Sequence, residues 1–168
     1  MKNIFYFLLI SILFLLDPGC AAQKNELAVE NTFSDDQLAQ DLLMNFLECL
    51  NKGDYVEAAR FYGGTYETMI DQNPGVSPND LSALLQNACT LNGMQCLRVR
   101  SVELNKKVSE TEFVFQVDFL KNDGNIFELD PCCGGDEADF PSQSMFYFTV
   151  IKVSNNQFSV MDMPPYAP

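Results

Sequence analysis

The chain has no histidine and no tryptophan. Without histidine there are no Ser–His or Cys–His nucleophile pairs, and the commonest metal ligand is gone. Any general base has to be a carboxylate, a tyrosine, a lysine or a thiolate. Basic side chains are scarce too: 10 Lys and Arg stand against 23 Asp and Glu, a net charge of −13. Such a surface repels phosphate backbones and makes nucleic acid a poor partner. It also keeps a protein dissolved, which is the commoner reason for the imbalance. Dinucleotide-binding, Walker and zincin patterns are missing. No cofactor, no metal and no catalytic residue is therefore assigned. Long apolar runs are missing as well. The longest, Ile4–Leu16, is broken by Ser11 and falls short of the ~20 residues that span a bilayer.

What is present begins with that run. Lys2 before it and small residues after it make residues 1–19 a signal peptide. Leu16-Asp17-Pro18-Gly19-Cys20 resembles a bacterial lipoprotein signal, in which Cys20 becomes the lipidated N-terminus. The alternative is ordinary cleavage near Ala21 or Ala22, which would leave a secreted protein. Removing residues 1–19 takes away one Lys and one Asp, so the charge stays at −13. Residues 20–33 are polar and aperiodic, a flexible tether. Residues 34–168 then form a single domain, a length that buries a real core.

Ser34-Asp35-Asp36-Gln37 is a capping-box pattern, followed by Leu38, Leu42, Leu43, Phe46, Leu47 and Leu50 at helical spacing. Gly53 stops this first helix. Asp54 and Glu57 open a shorter one through Tyr62, with a further helical turn over Thr65–Gln72. Ser77-Pro78-Asn79-Asp80 starts a third, with Pro78 at its first position. From Gln95 the period changes to two. Strands are expected at Cys96–Leu104, Phe113–Phe119, Ile126–Leu129, Met145–Val153 and Gln157–Met161, with a hairpin turn at Asn122–Asn125. The fourth is apolar on both faces, hence central. The fold class is α+β: three N-terminal helices packed on a curved antiparallel sheet of four to five strands.

The run Phe46-Leu47-Glu48-Cys49-Leu50-Asn51-Lys52-Gly53-Asp54-Tyr55-Val56-Glu57-Ala58-Ala59-Arg60-Phe61-Tyr62 resembles the opening of nuclear transport factor 2-like domains. The closing Phe148–Pro165 is similar to exported lipoprotein members of that superfamily. The resemblance implies a cone-shaped fold with a pocket between helix and sheet, and no particular activity. Candidate pocket residues are Tyr62, Phe115, Arg98 and Arg100, with Tyr55, Phe61 and Tyr66 near the mouth or in the core. Arg98 and Arg100 share a face of the first strand and would hold an anionic ligand or, more simply, pair with neighbouring acids.

Six cysteines in an exported chain point to disulfides. The first candidate bridge is Cys89–Cys96, across the corner between the third helix and the first strand. Cys132 and Cys133 are further candidates, in a long loop with Asp130, Asp136, Glu137 and Asp139. Their adjacency suits a stapled surface loop better than a zinc site. Cys49, on the apolar stripe of the first helix, is read as an unpaired core thiol. Met161–Tyr166 is a Pro-stiffened extended tail. The functional expectation is non-catalytic binding of a small apolar ligand or an envelope partner protein, with membrane attachment through Cys20. A pocket enzyme using a buried Asp or Glu, of isomerase or dehydratase type, and a homodimeric structural module are the alternatives.

Overall fold

A computed structural model describes residues 33–130 and 141–167. The signal segment, Cys20, nearly all of the tether, Cys132, Cys133, Asp136, Glu137 and Asp139 lie outside the described residues.

Helix α1, Asp35–Lys52, starts where the capping box places it: the Gln37 side chain accepts the Ser34 N–H at 3.1 Å. Asp35 and Asp36 in its first turn and Lys52 in its last suit the helix dipole. Gly53, in the left-handed conformation, ends it. Helix α2, Tyr55–Phe61, is capped by the Asp54 carboxylate, which accepts the Glu57 N–H. The expected single turn after it is a short helix, α3, Glu67–Gln72. Helix α4, Leu81–Thr90, starts later than Pro78. Asp80 wins the N-cap because its carboxylate captures the free Ala83 N–H at 3.1 Å. The chain therefore has four described helices rather than three.

Strands β1 (Arg98–Lys107), β2 (Glu112–Leu120), β3 (Met145–Ser154) and β4 (Gln157–Val160) form an antiparallel sheet in the order β1-β2-β3-β4. Ile126–Leu129 is not a strand of this sheet. β3 takes that side of β2 up to Asp118, which leaves only Phe119 and Leu120 for the returning chain. Ile126 bridges Leu120, Phe127 N–H donates to Phe119, and the chain then departs.

α1 crosses one face of the sheet and meets all four strands. Its Ala39, Leu43, Phe46, Leu47 and Leu50 pack against Phe113, Phe115, Phe119, Phe148 and Val150, all fully buried. α4 adds Leu84, Leu85 and Ala88 beside α2 and α3. One polar side chain sits within this packing. Asn73, 8 % exposed, donates to the Met69 carbonyl at 2.7 Å and to Asn92 Oδ1 at 3.0 Å. Its own Oδ1 accepts from Asn87 at 2.9 Å, so one amide joins α3, α4 and the loop after α4.

Both sheet edges are covered in part. β1 carries charged side chains and register shifts around Arg100 and Asn105, and α1 side chains occupy its flank. Gln40 donates to the Val102 carbonyl at 2.9 Å and Asn51 to the Cys96 carbonyl at 3.0 Å. On the other side Tyr62 bridges Val160, and Gly63 N–H donates to the Val160 carbonyl at 2.9 Å. Bulges, charge and cover are the usual guards against edge-to-edge aggregation.

Candidate functional site

Met44, Glu48 and Asn51–Lys52 recur on one side of α1, and Arg98 and Val99 open β1 beside them. Together they line a groove of about 310 Å³. Asn51 holds the start of β1 against the helix through the Cys96 carbonyl. Lys52 is engaged by Glu48 at 2.6 Å, one turn earlier, and this hydrogen bond raises the lysine pKa. Met44 is exposed and supplies, with Val99, an apolar floor.

Arg98 is the unengaged charge of the groove. Among the described residues, neither it nor Arg100 has a carboxylate within 4.0 Å. The expected pairing with neighbouring acids is thus corrected, and the register explains why. Opposite Arg98 stands Leu120, and the irregularity at Arg100 drops it from the ladder. Asp118, the nearest acid on β2, falls opposite Ser101 and accepts that hydroxyl at 3.0 Å.

The other expected pocket residues are elsewhere. Phe115 is fully buried in the core, with Leu104 and Phe148 opposite it on the flanking strands. Tyr62 lies at the β4 edge, stacked on Phe46 with Tyr66 edge-on, its hydroxyl donating to the Thr65 carbonyl at 3.0 Å. The four residues therefore do not converge. The helix side of the groove was missed because Met44, Glu48 and Lys52, at i, i+4 and i+8, read as an ordinary solvated face. Their spacing alone carries no sign of a partner strand.

Burial first, then the neighbouring Tyr66, Asp162 and Tyr166, pushes Tyr62 up to about 12; burial alone does the same for Tyr66. Both phenols are favoured neutral in the folded state. Their stabilising contribution is complete below pH ~10, the unfolded value, and is lost as pH rises toward 12. A phenolate absorbance titration should show Tyr62 and Tyr66 ionising last, with Tyr166, also raised by burial, later than an exposed tyrosine. Every tyrosine of the native protein titrating together would refute the buried cluster.

Cys49 is half-buried at the flank of the α1 stripe rather than on it, and is free. Burial, then Asp54, Glu57 and Glu48, raises its thiol pKa, which leaves a poor nucleophile. Cys89 and Cys96 are disulfide-bonded, with Cα atoms 5.5 Å apart. Two other depressions, of about 340 and 360 Å³, are lined around Met145 and Tyr147 and around Asp35 and Lys152. Lys152 is already paired with Asp35 at 2.6 Å, so neither offers the unengaged cation found beside Val99. Among the described residues, no cluster of three His, Cys, Asp or Glu is placed to hold a metal, and no helix is long and apolar enough to cross a membrane. No family model matches the chain, and no curated protein or solved structure matches it.

Proposed function

We propose that this chain is an exported, membrane-tethered binding domain of nuclear transport factor 2-like type that meets an envelope partner protein at the α1–β1 groove. The observation that carries the reading is Arg98, exposed and without a described carboxylate partner, beside the apolar Met44 and Val99. A planar guanidinium is built for bidentate contact with a carboxylate. An Asp or Glu of the partner would sit on Arg98, with an apolar neighbour on Met44. The signal-like N-terminus and the lipoprotein-type Cys20 support the location.

A small apolar cargo is less well supported, because the inner sheet face is filled: Phe46, Phe115 and Phe148 are all at or below 1 % exposure. A pocket enzyme would need a buried carboxylate; among the described residues the nearest to one is the half-buried Asp118, whose Oδ1 is out of solvent without a partner while its Oδ2 accepts the Ser101 hydroxyl, and the one polar residue buried as a whole is Asn73.

A photo-crosslinking residue placed at Met44 tests the reading in intact cells, with Val153, exposed on β3, as the control position. A discrete adduct is expected from Met44, reduced roughly tenfold or more by Arg98→Glu, since a charge-assisted hydrogen bond contributes about 1.5–3 kcal/mol. Equal adducts from both positions, or an adduct indifferent to Arg98→Glu, would overturn it.

A further inference from the structure

The segment after β4 is docked at two ends by different means. At the near end, Met161 N–H donates to the Thr149 carbonyl, and Thr149 N–H donates to the Asp162 carboxylate at 2.6 Å. These bonds prolong the sheet. At the far end the contacts all fall within the loop that the Cys89–Cys96 bond closes. Gln95 N–H donates to the Pro165 carbonyl at 2.8 Å, Ala167 N–H donates to the Gly93 carbonyl at 3.0 Å, and Met94 bridges Tyr166. Gly93 is suited to this in two ways. Its φ of +86° is one that side chains rarely adopt, and a Cβ there would lie 2.5 Å from the Ala167 carbonyl oxygen.

Between the two ends, the segment buries Pro164 and packs Met163 and Tyr166 against the core. It passes Gly64, where an added Cβ would collide with the Met161 carbonyl. Tyr166 and Asp162 lie close enough to Tyr62 to raise its pKa, and the Tyr66 hydroxyl beneath is buried without a partner. The loop is held by more than its disulfide. Met94 N–H donates to the Ala88 carbonyl, Asn92 is bonded to Asn73, and Met94 itself is core. Cys89 and Cys96 are themselves half-buried residues.

We propose that the Cys89–Cys96 disulfide is a redox latch: it shapes the Gly93–Gln95 corner that holds segment 161–167, and its reduction releases that segment while the domain stays folded. The reductant is a dithiol. One of its thiolates attacks a sulfur of the bridge, breaking the S–S bond and forming a mixed disulfide. Its second thiol then resolves that intermediate. The protein gains two electrons and two protons as the Cys89 and Cys96 thiols, and the dithiol leaves as its own disulfide. Release uncovers Tyr62 and Tyr66 and frees the Pro-containing segment. The latch is independent of the groove reading.

Hydrogen exchange on the full chain, before and after dithiol treatment, tests this, with alkylation confirming that Cys89 and Cys96 have both become thiols. Protection of the Gln95 and Ala167 amides is expected to fall at least tenfold, while Phe115 and Val117 in β2 keep theirs. Gly93→Ala should expose the same two amides with the disulfide intact. Unchanged protection at Gln95 and Ala167 after complete reduction would overturn the latch. So would equal loss in β2, which would make the bond a staple for the whole domain.

Discussion

Phe115→Ala is expected to destabilise the domain by about 3–5 kcal/mol, the range for emptying a fully buried aromatic site. Phe115 is 0 % exposed, with Leu104 and Phe148 opposite it on the flanking strands. The vacated volume would be walled by paired strands that cannot move inward without breaking their ladders. A loss of this size is a large part of the 5–15 kcal/mol that holds a typical domain folded. Chemical denaturation read by circular dichroism would measure it. A cost under about 1 kcal/mol would show that Phe115 faces open space, as a pocket-lining residue would.

Asn73→Ala is the second change with a large expected effect. Its amide is donor to Met69 and Asn92 and acceptor from Asn87. Truncation strands those partners, at roughly 1–3 kcal/mol for each that water cannot reach. Asn92→Ala removes only one of the three bonds and should cost markedly less. Comparable losses from the two variants would mean that the number of bonds made by the Asn73 amide does not set the cost. The expected signature of Asn73→Ala includes faster exchange at the C-terminal turn of α4, because Asn87 lies there.

The parts of this fold legible in the sequence are those specified by local chemistry. Ser34 and Gln37 mark the start of α1 because the capping bonds lie within four residues. Phe113, Phe115, Val117 and Phe119 announce β2 because one face of a strand repeats every second residue. The α+β class follows from those periods. What could not be read depends on register and close approach. Asn73 stands in Asn73-Pro74-Gly75, which reads as a chain breaker, and its value comes from Asn87 and Asn92, 14 and 19 residues away. Arg98 and Arg100 were expected to find acids, but a single irregularity between Val99 and Ser101 sets Asp118 opposite a serine instead. Met161–Tyr166 read as a loose end because nothing in its composition reveals that Gly93 is shaped to receive it.

The groove is similar in this respect. Its two halves come from α1 and β1, 46 residues or more apart at Lys52 and Arg98, and are tied by side-chain hydrogen bonds from Asn51 to the Cys96 carbonyl and from Gln40 to the Val102 carbonyl. Helical spacing marks that side of α1 as solvent-facing and says nothing of the strand beside it.

The covered stretches of the two sheet edges narrow where an extended chain could add on as a further strand. Main-chain pairing along an open strand is permissive, since any polypeptide offers the same amides and carbonyls. Here Gln40 and Asn51 engage carbonyls beside β1, and Tyr62 and Gly63 cover β4. At those points a contact can be made only through side chains, where one substitution changes the preference. Exposed positions such as Met44 and Arg98 can vary without disturbing the core, so the surface chemistry of the groove is free to change while the scaffold stays the same.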